Sequence, residues 1–332
     1  MARELYFYEA LNEALAQRLS EDPRTILLGE DIGRMGGPFW VTKGLLERFG
    51  PERVRDTPIS ETAFLGMASG MALGGLHPIV EVQLVDFALV ALDTIVNELA
   101  KFRYMSGGQA RLPVVIRAAV GGYYGDAAQH SQTLYATLAH FPGISVVVPS
   151  NPRDAKGLLL EAARKGSPCV FLEHKQLYGV PFMAYGTKGP VPEEPYTVPF
   201  GEAEVVRAGS DASIVSVGYG VHLAVEAAKE AAERGKDVEV VDLRSLKPLD
   251  PEAVRRSAKK TGRVLVVDED YVSYGLSGEI AAVLLEDVPT REKLREFARV
   301  AIPDVPIPFS EPLEEAVLPS VGRITEALRA WE

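Results

Sequence analysis

Pro78-Ile79-Val80-Glu81-Val82, then a helical pattern from Asp86 to Tyr104, then Val114-Val115-Ile116: this stretch decides the fold. Two β-branched runs separated by a helix-length segment pair side by side only through a crossover, which makes them parallel. The same alternation extends outward in both directions. Thr25-Ile26-Leu27-Leu28, Ser145-Val146-Val147-Val148 and Val170-Phe171-Leu172 read as further strands. Ser60 to Leu73 and Pro152 to Lys165 read as further helices. The expected fold class is α/β, with a mostly parallel sheet covered on both faces. The rhythm breaks between Gly179 and Pro199, where Pro181, Pro190, Pro192, Pro195 and Pro199 fix φ and remove backbone donors. It resumes with strands over 213–217, 238–243 and 264–267 and helices over 223–233 and 277–286. The division that follows is a first domain over 1–185, a Pro/Gly-rich linker over 186–200 and a second α/β domain over 201–332.

The chain has 332 residues, 47% of them hydrophobic and 24% charged, the profile of a globular protein with a sizeable core. Its formal net charge of −11 argues against nucleic acid as a partner, since phosphate binding needs a basic footprint. The densest basic cluster, Arg255, Arg256, Lys259 and Lys260, reads as a solvated helix face. The single cysteine, Cys169, lies in an apolar run and reads as a small buried hydrophobe, so no disulfide framework is expected. No apolar stretch is long enough to span a bilayer, and the N-terminal residues resemble neither a signal nor a transit peptide. The expected location is cytoplasmic, without membrane association.

Ligands of open parallel sheets gather at the carboxyl ends of the strands. The residues following those strands include Gly29-Glu30-Asp31-Ile32-Gly33, Pro58-Ile59-Ser60-Glu61, Gln83, and the loop Gly121-Gly122-Tyr123-Tyr124-Gly125-Asp126 leading to His130. Glu61 opens a helix with Ser60 as the expected N-cap. Read alone, it is a carboxylate favoured by the helix dipole. The small residues behind it, Gly66, Ala68, Ser69, Gly70, Ala72, Gly74 and Gly75, leave room for another backbone to approach. Phe87 read alone fits core as well as a ligand platform. His77, His140, His174 and His222 share no metal-ligand spacing, and no metal-binding side chains are expected. Gly218-Tyr219-Gly220 followed by Asp242 imitates a dinucleotide fingerprint, but Leu223 stands where the third glycine should be.

Together these segments resemble the beta subunit of the thiamin-diphosphate-dependent first component of 2-oxo acid dehydrogenase complexes. That family covers pyruvate, branched-chain 2-oxo acid and acetoin dehydrogenases. The resemblance runs over nearly the whole chain. It is carried by Gly29 to Gly33, Asp56-Thr57-Pro58-Ile59-Ser60-Glu61, Glu81-Val82-Gln83-Leu84-Val85-Asp86-Phe87 and Lys101 to Gln109. His130-Ser131-Gln132, Asp154 to Leu159, Val241 to Pro248, and Leu313-Glu314-Glu315 before Pro319 complete it.

The resemblance implies a transketolase-like pyrimidine-binding domain followed by a transketolase C-terminal domain. It implies that Glu61 hydrogen-bonds a ring nitrogen of the cofactor's aminopyrimidine, that Phe87 stacks on that ring, and that Gln83 lies near it. His130 would assist acyl transfer onto lipoamide as proton donor or orienter. The chain lacks the Gly-Asp-Gly and asparagine pattern that holds Mg2+ and the diphosphate. The resemblance therefore implies an alpha subunit that supplies them in an α2β2 heterotetramer. It also implies a structural K+ held by backbone carbonyls, as is common in the family, and a lipoyl acyltransferase component as a further partner. The implied activity is oxidative decarboxylation of a 2-oxo acid with acyl transfer to a lipoyl group. An acetoin dehydrogenase beta subunit is the nearest alternative. A stand-alone NAD-binding oxidoreductase and a non-catalytic assembly subunit are the others. Two segments depart from the family pattern: Gly121 to Gln129, and Asp268-Glu269-Asp270-Tyr271-Val272-Ser273-Tyr274-Gly275.

Overall fold

The computed structural model describes residues 3–331. Residues 3–120 with Thr137–Phe200 form one compact unit, and Gly121–Ala136 with residues 201–331 form another. The Gly121–Ala136 segment thus interrupts the first unit in sequence while its contacts lie with the second. Residues 186–200 belong by their contacts to the first unit.

The first unit begins with β1 (Glu4–Tyr6), α1 (Phe7–Glu21), β2 (Thr25–Gly29), α2 (Leu45–Phe49), β3 (Val54–Asp56), α3 (Glu61–Leu73) and β4 (His77–Leu84). It continues with α4 (Phe102–Met105), β5 (Val115–Val120), a short α5 (Tyr135–Ala139) whose first two residues belong to the second unit, β6 (Ser145–Val147), α6 (Pro152–Lys165), β7 (Cys169–His174) and β8 (Lys188–Pro190). Six of these strands pair in the order β6-β7-β5-β4-β2-β3, every pair parallel. Every residue of β2, β5 and β7 is buried, as expected of parallel strands covered on both faces. Cys169 is among them, and burial pushes its thiol far up. Helix α6 shows why the local sequence sets its ends. Asn151 Oδ1 accepts from the Asp154 amide at 2.9 Å, Pro152 fills the first turn, and Gly166 closes the helix at φ 74°.

Two local expectations change. The helix expected over Asp86 to Tyr104 is instead a 3₁₀ turn over Val85–Ala91, a π turn over Thr94–Leu99 and the single turn α4. The stretch expected as an extended linker is held in place along the first unit. Its β8 pairs antiparallel with β1, and the Lys156 ammonium, itself wholly buried, donates to Glu13 Oε1 (2.6 Å), the Pro192 carbonyl (2.6 Å) and the Glu193 carbonyl (2.9 Å).

The second unit contains β9 (Glu204–Arg207), β10 (Ala212–Ser216), α7 (Tyr219–Glu233), β11 (Val238–Asp242), β12 (Ser245–Lys247) and α8 (Pro251–Thr261). After these come β13 (Arg263–Tyr271), α9 (Leu276–Glu286), α10 (Val288–Lys293), β14 (Glu296–Ile302), α11 (Glu311–Val317) and α12 (Val321–Arg329). Its sheet runs β14-β13-β10-β11-β9, parallel except at the β9 edge. Ala224, Ala227, Ala228 and Ala231 of α7 pack on Ile214, Val240 and Leu265 of this sheet. On α8, the basic cluster is partly tied down: Lys260 pairs with Glu239 at 2.5 Å and Arg255 with Glu252 at 2.7 Å. No helix among the described residues is long and apolar enough to cross a membrane.

Candidate active site

Three parallel strands of the first unit lie side by side where β2 and β3 end, and β4 runs on to Leu84. Gly29 of β2 lies opposite Asp56 of β3 on one side and Glu81 of β4 on the other. The loop after β2 is tied to the end of β3, because the Gly33 amide donates to Asp56 Oδ1 at 2.6 Å. A Cβ at Gly33 would stand 2.7 Å from Asp56 Oδ2, so a side chain there would have to push the Asp56 carboxylate aside. The Thr57 amide donates to the Gly29 carbonyl at 2.9 Å, which sets the path of the chain into α3.

Two buried carboxyls follow from that path, each with 8% of its residue surface exposed: Glu30 after β2 and Glu61 at the start of α3. Burial raises the Glu30 carboxyl above its ordinary range, and the charges of Glu61 and Asp31 add to the shift. Ser60 takes the N-cap position, but its side chain makes no cap hydrogen bond, contrary to expectation. The negative charge of Glu61 in the first turn complements the helix dipole without that help. No described side chain hydrogen-bonds or ion-pairs with the Glu61 carboxylate. Gln83, next to the end of β4, and Phe87, in the 3₁₀ turn beyond it, are both partly exposed. Thr62 Oγ1 donates to the Val90 carbonyl at 2.9 Å and so joins α3 to the turn that carries Phe87. Glu61, Gln83 and Phe87 thus belong to one unit and one sheet edge.

Beneath that edge lies an ionic triad for which the sequence reading proposed no role. Arg117 of β5 donates through Nη1 to Glu81 Oε2 (2.6 Å) and through Nε and Nη2 to Glu173 Oε1 and Oε2 (2.7 Å each). Tyr178 donates to Glu173 Oε2 at 2.8 Å. All three members of the triad are buried. Burial alone would pull the Arg117 guanidinium down, but Glu173 and Glu81 outweigh it and hold the group above its ordinary value. Burial also pushes the Glu173 carboxyl up, against the pull of Arg117. Glu81 lies two residues before Gln83, and the pairing of β4 with β5 shifts register between Val82 and Leu84, at Gln83 itself. The triad therefore ties β4, β5 and β7 together next to the end of β4. The readable signal was Arg117 itself, a charge in the middle of a wholly apolar strand pattern, which demands a buried partner.

His130 lies elsewhere, on the Gly121–Ala136 segment of the second unit, where it is half-buried. Its amide faces the Ala127 carbonyl at 3.4 Å. The dinucleotide imitation fails in this unit for a physical reason. The Gly220 amide, which would meet a phosphate, donates to Glu269 Oε1 at 3.0 Å. Asp242 is wholly buried and accepts from the Arg244 amide at 2.9 Å, so no ribose can reach it.

Residues 3–181 match the transketolase pyrimidine-binding domain, and residues 201–324 match the transketolase C-terminal domain. The beta subunit of acetoin:2,6-dichlorophenolindophenol oxidoreductase from Cupriavidus necator is 45% identical to this chain, covering 99% of it and 98% of the relative. The 2-oxoisovalerate dehydrogenase subunit beta of Bacillus subtilis is 40% identical, covering 97% of each chain. The pyruvate dehydrogenase E1 component subunit beta of Rickettsia felis is 41% identical, covering 97% of this chain and 96% of the relative. Among solved structures, a split-gene transketolase, described as an inactive beta4 tetramer, superposes with a TM-score of 0.77 at 26% identity, over 98% of this chain and 97% of that one. The chain therefore belongs to the family of beta subunits of thiamin-diphosphate-dependent 2-oxo acid dehydrogenase first components, built on the transketolase pyrimidine-binding and C-terminal domains.

Proposed function

We propose that this chain holds the pyrimidine half of a thiamin diphosphate site and that an alpha subunit completes it, in an α2β2 assembly that decarboxylates a 2-oxo acid and passes the acyl group to a lipoyl acyltransferase. The observation that carries the reading is Glu61: a buried carboxylate at a helix start, engaged by no described side chain. Its donor chemistry fits the cofactor, because a carboxylate held out of water with spare acceptor capacity suits a ring nitrogen that must keep a proton. Phe87 contributes a partly exposed aromatic ring in the turn tied to α3, and Gln83 an amide near the end of β4. Thiamin diphosphate, when bound, supplies a carbon acid that adds to the 2-oxo carbonyl and accommodates the electrons released on decarboxylation. In this reading Glu61 holds the proton at the pyrimidine ring nitrogen, Phe87 and Gln83 orient that ring, and His130 gives or orients a proton during acyl transfer. Mg2+ and the diphosphate belong to the alpha subunit, whose pattern for them this chain lacks.

A second reading, cleavage of acetoin at the same site, draws support from two relatives named as acetoin:2,6-dichlorophenolindophenol oxidoreductase beta subunits, 45% and 40% identical to this chain, beside dehydrogenase subunits at 40–41%. Co-expression with the alpha subunit and assays on pyruvate, 2-oxobutyrate, branched-chain 2-oxo acids and acetoin separate the two. Within either reading, Glu61→Ala in the assembled enzyme should abolish deuterium exchange at the thiazolium carbon of bound cofactor. Exchange at the wild-type rate in a folded, cofactor-loaded variant would remove Glu61 from the role.

A further inference from the structure

The Gly121–Ala136 segment is strained and anchored at both ends. Of the seven non-glycine residues with positive φ among those described, Tyr123, Ala127 and Leu134 fall within these sixteen positions. Such conformations persist only where surrounding contacts over-determine them. Downstream of His130, Thr133 Oγ1 donates to the Glu269 carbonyl at 2.9 Å and the Ala136 amide donates to Asp270 Oδ2 at 3.0 Å. Upstream, Tyr123 OH donates to the Pro319 carbonyl at 2.7 Å. A further anchor upstream of His130 is Glu314. Its side chain, on a residue 3% exposed in the first turn of α11, accepts from the Gly125 amide through Oε2 at 3.2 Å. Its Oε1 lies 3.3 Å from the place a Cβ would take on Gly122, so the carboxylate sits directly against the backbone of the loop. A buried carboxylate that accepts from a backbone amide makes a charge-assisted bond, stronger than a neutral one.

We propose that Glu314 is a positioning residue: by holding Gly125 it fixes the arc of backbone that presents His130 to the lipoyl group. The inference rests on the role given to His130 above. It also gives a task to the Leu313-Glu314-Glu315 motif and to the divergent Asp268-Glu269-Asp270 segment, which together grip the loop from its two sides.

The test uses the assembled enzyme and two acceptors, a free lipoyl domain and the dye 2,6-dichlorophenolindophenol. Glu314→Ala should lower kcat toward the lipoyl domain by about tenfold to a hundredfold, the effect of a small displacement of a reacting group. KM for the 2-oxo acid should hold, and the dye-coupled rate should fall far less. Glu314→Gln, which keeps an acceptor oxygen for Gly125, should recover most of the lipoyl rate. In a His130→Ala background, Glu314→Ala should cost nothing more. Equal losses with both acceptors, a glutamine variant as poor as alanine, or an additive loss in the double variant would each overturn the proposal. If His130→Ala alone leaves the lipoyl rate intact, the role of His130 falls first and takes the role of Glu314 with it.

Discussion

The Glu30 carboxyl is pushed up by its burial at the end of β2 and further by the charge of Glu61 across the same sheet edge. The two residues are 31 positions apart in sequence, and parallel pairing of β2 with β3 brings their strand ends side by side.

Removing the charge of Glu61 while keeping its shape should therefore let Glu30 ionise more readily. In Glu61→Gln, carboxyl carbon NMR should show Glu30 titrating at lower pH than in the parent. The sign for stability follows from the same shift. A carboxyl raised in the native state stabilises the fold below the ordinary glutamate pKa and loses that contribution as pH rises through its raised value. In the variant the loss should be smaller and complete at lower pH. A Glu30 titration unmoved by the substitution would show that the two groups are not coupled.

The Glu81–Arg117–Glu173 triad makes a sharper prediction. Arg117→Met would leave two carboxylates buried without their shared cation, and breaking a buried ion pair in this way costs about 3–5 kcal/mol. Urea unfolding of the variant should show a loss of that order. Replacing all three members with apolar residues of similar volume should cost less than the single change, because no charge is then stranded. A single variant as stable as the parent would contradict this account.

Lys156 predicts a local rather than a global effect. Its ammonium holds the carbonyls of Pro192 and Glu193 against α6 and α1, and Lys156→Met removes all three hydrogen bonds. Charge-assisted bonds of this kind contribute about 1.5–3 kcal/mol each. Limited proteolysis should cut the variant near Glu193-Glu194 while the strands of the sheet stay protected from hydrogen exchange. Cleavage no faster than in the parent would show that the segment is held by other contacts.

Much of the architecture was legible because burial on both faces leaves a plain chemical trace. Runs such as Thr25 to Leu28 and Val170 to Leu172 have no polar face, and each is a strand of the sheet. Asp86 to Tyr104 was misread for an equally physical reason. Apolar spacing reports which side of a turn is buried, and it does not report which carbonyl each amide selects. The α, 3₁₀ and π registers therefore look alike in sequence. That Glu61 opens a helix was legible from Ser60 before it and the small residues behind it. The coupling of Glu30 to Glu61 was not, since it depends on which strands become neighbours. The attachment of Gly121–Ala136 was hidden for the same reason: its partner Glu314 lies 189 residues downstream of Gly125.

The way the backbone passes back and forth sets a rule for anyone recombining genes of this family. The polypeptide crosses from one unit to the other after residues 120, 136 and 200, so no single cut separates them. A fragment ending at Phe200 would carry the histidine-bearing arc without the carboxylates that shape it, and a fragment starting at Gly201 would carry those carboxylates with nothing to hold. A chimaera spliced once near position 200 must therefore match the arc of one parent to the grip of the other, and its lipoyl chemistry should depend on that match more than on overall identity.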